Sequence, residues 1–284
     1  MHNVALSWQQ SAEVAGLLAC VGVALQVSGR PRLRRLAPFA VEGVVIAVLY
    51  AIWQRAGELS VLGTSGAVRR AQWIARIERD WYLPPERSVQ HLVLSHPLLV
   101  QGSNLYYATM HFTALFAFLI WLFVRHRDRY RPVRTILALT TLVCLVIQFV
   151  PVAPPRLLAG YVDTAGLYGQ SVYGAGFAAD ELSAMPSVHV AWAVLIGWYV
   201  WRISTSRWRW IGIAHAAVTV FVVTCTANHW WLDGIVGAAV LAACAWTRHG
   251  LATGWQSLRA RRASGIEAGE RTAQLVARSE ARRE

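Results

Sequence analysis

Long apolar runs alternate with short polar connections along nearly the whole chain. A helix of roughly 17–25 predominantly apolar residues spans the hydrocarbon core of a bilayer. Seven runs approach or reach that length: 11–28, 38–54, 104–124, 133–150, 187–201, 210–227 and about 230–247. They predict an all-α polytopic membrane protein with about seven transmembrane helices. A soluble fold with several buried helices is the competing reading, and the number of long runs weighs against it. The first run is expected to be retained. Its start is not strongly basic, and no small-residue cleavage signature follows it.

The connection 55–103 has a pattern of its own. Over Val68–Leu83, Trp73, Ile77 and Trp81 recur every four residues among Arg69, Arg70, Arg76, Glu78, Arg79 and Asp80. One apolar face on a charged helix predicts an interfacial helix lying along the membrane. Pro84–Pro85 ends it. Ser88–Val100 is a second apolar piece, interrupted at His96–Pro97, and reads as re-entrant or surface-lying. The expected organisation is therefore 1–103 for the first helices and this outer segment, 104–247 for a membrane core, and 248–284 for a basic tail. The tail carries eight arginines and four glutamates and reads as a solvated helix or disorder.

Charge sets the orientation. The chain has 27 basic and 15 acidic groups, a formal net charge of +12, and every basic group is arginine. The arginines cluster in the connections 29–37, 125–134 and 202–209 and in the tail. If all four are cytoplasmic, seven spans fit the positive-inside rule without conflict. An integral plasma-membrane protein with its N-terminus outside and its C-terminus in the cytoplasm is expected. The bilayer accounts for the charge, and no nucleic-acid-binding signature is present. Cys20, Cys144, Cys225 and Cys244 all lie in apolar runs without metal-type spacing, so they read as small core residues.

Three polar islands remain: Ala153–Arg156, Met185–His189 and Thr226–Asp233. The orientation above puts all three on the outer face. Polar groups near hydrocarbon are costly without a partner or a task. His229 and Asp233 are four residues apart, which places them on one helical face. A carboxylate there fixes the imidazole tautomer and raises the basicity of the other ring nitrogen, the requirement of a nucleophilic histidine. His189 enters from another helix as a candidate proton donor to a leaving oxygen. Ser187 and the amides at 187–189 open a helix, where free N–H groups suit a phosphate. Arg156 offers a rigid fork for two phosphoryl oxygens. Two histidines and an aspartate also suit zinc, but that reading leaves Arg156 and Ser187 without a role. Asp163, Asp180 and Glu181 lie in the outer loop as candidate contacts for a polar acceptor. A non-catalytic transporter or scaffold is a further alternative. No internal inverted repeat supports it.

The motifs APPR at 153–156, MPSVHVAW at 185–192 and NHWWLDGIVG at 228–237, in this order and separated by membrane spans, resemble the membrane type 2 phosphatidic acid phosphatase (PAP2) superfamily. Within it the chain looks closest to the branch of inositol phosphorylceramide synthases and related inositolphosphotransferase-like proteins. The resemblance covers about 104–247. It implies a six-helix catalytic core, with His229 as nucleophile, Asp233 as its partner and His189 as acid or base. It also implies Arg156 and Ser187 as phosphate ligands, and no metal or other cofactor. The sequence departs from the phosphatase pattern in two places. A basic residue is usual seven positions before the first-motif arginine, and here Phe149 stands there. A Ser-Arg pair usually precedes the third-motif histidine, and here Val222 and Val223 stand there.

Those departures favour transfer over hydrolysis. The expected reaction is phosphoryl or phospho-headgroup transfer on a lipid phosphate or phosphodiester through a phosphohistidine, with inositol or another polyol as acceptor. Hydrolysis, with water as acceptor, is the alternative. Arg79 and Arg87 are candidate replacements for the missing phosphate contacts. Asn228, Tyr161, Tyr168 and Tyr173 are further candidate substrate contacts, the tyrosines flanking a Gly-rich loop suited to a sugar-like acceptor.

Overall fold

The computed structural model describes residues 7–60, 66–171, 181–251 and 253–254. Helices dominate, in the order α1 (Trp8–Val27), α2 (Pro31–Arg34), α3 (Ala37–Ser60), α4 (Ala67–Asp80), α5 (Glu86–Leu94), α6 (Pro97–Arg125), α7 (Arg127–Gln148), α8 (Thr164–Leu167), α9 (Val188–Ile203) and α10 (Arg209–Cys225). An eleventh, α11, covers 231–251. No β-strand occurs among the described residues, only a single bridge between Val152 and Ser183. Two compact units divide the chain, residues 1–241 and 242–284, and of the second only the end of α11 and residues 253–254 are described. The tail expectation and Tyr173 fall outside the described residues, as does Asp180.

The chain is an all-α polytopic membrane protein. Among the described residues, four stretches are long and apolar enough to cross a bilayer: Trp8–Val27, Pro31–Ile52, Pro97–Arg125 and Arg127–Gln148. The apolar helices α9 and α10 are shorter, at 16 and 17 residues. Outward side chains of the apolar helices, such as Leu17 and Val23 of α1, Ile120 and Val124 of α6 and Ile211 of α10, are exposed, as suits contact with lipid rather than water. α1 begins with a capping box between Ser7 and Gln10 and packs along α3. Glu42 of α3 accepts hydrogen bonds from Arg134 and Tyr130 of α7. A carboxylate in that setting is tolerable only with such partners. Cys144 and Cys225 are buried as expected, whereas Cys20 is exposed.

Three boundaries differ from the sequence reading. The basic segment 125–134 is mostly helical, because α6 and α7 meet across a break at His126 alone. Pro132 falls in the second turn of α7 without ending it. Ser88–Val100 is not one re-entrant piece. It comprises the end of α5, a turn at His96, and the start of α6, with Pro97 in the first helical position, where its missing N–H costs no bond.

α4 has a second, buried face that its tryptophans do not mark. Trp73 and Trp81 are exposed, at 58% and 60%. The buried face is Ala67, Ala71, Ile74 and Glu78, spaced four, three and four apart. The small alanines let α4 lie against Val152, Ala153, Ala184, Trp230 and Leu232. α4 therefore covers all three polar islands. Its tryptophans face away from the protein, the side an interfacial helix gives to the bilayer.

Candidate active site

The three islands are stitched to one another through their backbones. The Arg156 N–H donates to Ala227 O at 2.9 Å, and the Ser187 N–H to Asp233 O at 2.9 Å. Trp230 Nε1 donates to Ala153 O at 3.0 Å. Gln148 Nε2, at the end of α7, donates to Pro186 O at 3.1 Å. α9 and α11 approach closely where Gly237 faces Ser187. A Cβ on Gly237 would sit 2.5 Å from the Ser187 carbonyl oxygen, so only glycine fits.

His229 is placed by two helix ends. α10 closes with Ala227 in the left-handed region at φ 55°. Its N–H bonds to Thr224 O and that of Asn228 to Val223 O, the pattern of a Schellman cap. Glycine usually takes this position. Alanine accepts local strain that the buried surroundings hold in place. α11 then starts at 231, and Asp233 reaches back to accept the Trp230 N–H at 2.8 Å, as a third helical residue does in a capping box. His229 therefore precedes the helix, and the expectation that 229 and 233 share a helical face is corrected. The two meet because the cap folds the chain back.

The contacts of His229 fix its tautomer. Nδ1 lies 2.8 Å from Ala184 O and 3.4 Å from Asp233 Oδ2. A carbonyl only accepts, so Nδ1 carries the proton and Nε2 presents a lone pair. That lone pair lies 3.3 Å from His189 Nδ1, which therefore donates to it. Since His229 turns one nitrogen to Asp233 and the other to His189, the three groups do not converge on one point as zinc ligands would.

Two residues without an assigned role stand beside His189. Tyr107 stacks on its ring with centroids 4.7 Å apart. His111 meets it edge-on at 4.4 Å, and its Nδ1 donates to Tyr107 O. Both come from α6, and the only available signal was their spacing of four in a helix.

The remaining candidates are placed as follows. Arg156 is buried in a 3-10 turn, Pro155–Leu157, with Nη2 3.4 Å from Glu181 Oε1. Ser187 is fully buried and its hydroxyl accepts the Val190 N–H at 3.3 Å. It thus caps α9, leaving the amides of Val188 and His189 without an intrahelical acceptor. Asn228 is buried and donates to Thr226 Oγ1 at 2.8 Å. Arg79 and Arg87 are exposed, and Arg87 lies over Gly160. Arg70 of this segment instead reaches the chain just ahead of the first island, where its Nε donates to Pro151 O at 2.6 Å. Tyr161 donates to Glu86 at 3.5 Å and packs against Trp230. Burial and the charges of Glu86 and Glu78 push its phenol well above the usual range. Tyr168 packs on Val93, Val100 and Cys225. Val222 and Val223 pack with Tyr107 and Val190.

An imidazole with one nitrogen set against a carboxylate and the other presenting a lone pair is the arrangement of an activated nucleophile. The model describing the PAP2 superfamily matches residues 72–247, and the chain belongs to that superfamily. It is a PAP2-type phosphatase or phosphotransferase. The match begins upstream of 104 and takes in most of α4 and all of α5. No curated protein and no solved structure matches the chain.

Proposed function

We propose that the protein transfers a phosphoryl or phospho-headgroup from a lipid phosphate or phosphodiester to a polyol such as inositol. The transfer runs through a phosphohistidine on His229. The observation that carries this reading is the contact chain from Asp233 through His229 to His189. A phosphoryl group replaces the imidazole–imidazole hydrogen bond. His229 Nε2 attacks phosphorus, and the ester P–O bond breaks. The departing oxygen takes a proton from His189 in its imidazolium form. Positive charge on the phosphorylated ring is balanced at Nδ1–H by Asp233. In the second step neutral His189 takes the proton of the acceptor hydroxyl as its oxygen attacks. The P–N bond breaks and His229 returns to its starting state. Arg156 and the amides opening α9 receive the equatorial oxygens, where charge gathers.

The polyol as acceptor is favoured by Phe149, Val222 and Val223. They stand where the phosphatase pattern has basic and hydroxyl groups, and Val222 and Val223 are buried in an apolar cluster. Transfer of a phosphodiester headgroup moves less charge than hydrolysis of a monoester and fits a site with fewer cations. The site lies at the extracytoplasmic face of the plasma membrane, with the C-terminus in the cytoplasm, as the arginine distribution favours.

The test uses protein reconstituted in lipid with labelled lipid phosphates and phosphodiesters, with inositol in one arm and water alone in the other. A new phospho-headgroup product that His229→Ala fails to make supports transfer. Equal release of phosphate in both arms would make the protein a phosphatase.

A further inference from the structure

The first turn of α11 is held from outside by two acids that the catalytic scheme does not use. Glu78 of α4 is 4% exposed and Glu86 of α5 is 3% exposed. Glu78 Oε1 accepts the Leu232 N–H at 2.7 Å, and Glu86 Oε1 accepts the Trp231 N–H at 3.2 Å. Asp233 takes the Trp230 N–H. Three successive amides of the helix start thus end on three carboxyl groups, two of them from the covering segment. Trp231 Nε1 adds a bond to Pro84 O at 2.6 Å, between the two helices. Interaction of an acid with a helix N-terminus is favourable, but an external acid on each of two successive amides is more than capping requires.

We propose that Glu78 and Glu86 are positioning residues, which lock the first turn of α11 and thereby set Asp233 against His229. The role rests on the phosphohistidine reading, because it assigns that dyad its task. The charges around the pair constrain its state. Glu78 faces Glu86 and Asp233, and Tyr161 stands against Glu86, with Arg87 near the phenol. Two adjacent buried anions repel each other strongly. Burial first, then Glu86, raises Glu78 to about 9, against the Leu232 N–H, which lowers it. At neutral pH Glu78 accordingly holds its proton.

The sign of the pH dependence follows. The unfolded chain releases the Glu78 proton near the ordinary 4.5, and the folded protein near 9. Its contribution to stability is full below about pH 4.5 and is lost as pH rises through about 9. Glu78→Gln keeps the acceptor for Leu232 and removes the titration. The melting temperature of the native protein, relative to Glu78→Gln, is expected to fall steadily from about pH 5 to about pH 9. Infrared spectra at pH 7 should contain a protonated carboxyl band that Glu78→Gln lacks.

Positioning has its own readouts. Glu78→Ala should change the rate at which diethyl pyrocarbonate modifies His229, and Glu78→Gln should restore it. On a turned-over substrate, Glu78→Ala should lower kcat on the order of tenfold to a hundredfold with KM little changed, again with rescue by Glu78→Gln. Unchanged His229 reactivity in Glu78→Ala would overturn the proposal, as would the absence of the band. If no lipid donor is turned over while the band, the melting difference and the reactivity change are all present, the catalytic reading fails and the positioning stands.

Discussion

In the proposed reaction His229 takes its reactivity from what lies around Nδ1. With Ala184 O and Asp233 as acceptors there, Nε2 is the nitrogen left to attack. His229→Ala is expected to abolish the covalent intermediate, measured as acid-labile label retained on the protein after brief exposure to labelled donor. Asp233→Asn keeps the size but loses the charge, and the Trp230 N–H still finds an oxygen. It should lower kcat on the order of a hundredfold or more, while the protein still folds. In the same proposal His189 acts on the oxygens and not on the attack itself. With a donor whose leaving group needs no proton, such as an aryl phosphate, His189→Ala should still form the intermediate but accumulate it, because the acceptor is no longer deprotonated. Equal loss of both steps would move His189 out of that role. Arg156→Lys loses the planar fork and its pairing with Glu181. Its kcat/KM should drop on the order of tenfold to a hundredfold. These four side chains were legible in the sequence because polar residues stood out against apolar surroundings. Tyr107 and His111 were not. Nothing along the chain links α6 to His189, and only packing brings them to 4.7 and 4.4 Å.

At the level of elements, the site depends on how closely α9 and α11 approach. Gly237 is the contact that permits it. Gly237→Ala places a methyl carbon against the Ser187 carbonyl, which is itself fixed by the Ala191 N–H at 3.1 Å. The helices have to separate, at about 1–3 kcal/mol. A lowered melting temperature together with lost turnover is the expected outcome, whereas Gly250→Ala, with open space at its Cβ position, should change neither. The helices themselves were readable from apolar run length, and the three islands from their interruptions. The cover was less readable. The pattern of α4 drew attention to Trp73, Ile77 and Trp81, because large apolar side chains carry most of the signal. The buried face is instead made of two alanines, an isoleucine and a glutamate. Small residues report close packing weakly, and a glutamate on that face reads as solvated until its acceptor role on α11 is visible. The Schellman cap was hidden for a similar reason, since alanine stands where glycine would have announced it.

For the molecule as a whole, orientation follows from charge and fold together. The arginine clusters at 125–134 and 202–209 lie at helix ends away from the islands in sequence, and each is joined to an island by one apolar run, whereas the cluster at 29–37 is joined by α3 to the connection that carries α4. α7 runs from the cluster at 127–134 to Pro151, and α10 from Arg209 to Thr226. Arginine is retained on the cytoplasmic side during insertion, and on the proposed orientation the ends bearing the islands point outward. α4 carries Arg69, Arg76 and Arg79 on that outer side, but within a long connection, where the rule acts weakly. The exposed Trp73 and Trp81 let the helix rest at the headgroup level. The proposed arrangement would give a lipid headgroup access to His229 while its chains remain in the bilayer. It is tested in intact cells, on a background with the four native cysteines replaced. Leu167 in α8 and Thr205 between α9 and α10 are both exposed. Leu167→Cys should react with a membrane-impermeant maleimide in sealed cells, and Thr205→Cys only after permeabilisation. The reverse pattern would turn the site toward the cytoplasm and restrict its acceptor to soluble cytoplasmic polyols or water. Labelling of both in sealed cells would mean that α9 does not cross the membrane, and that its 16 residues return to the face they left.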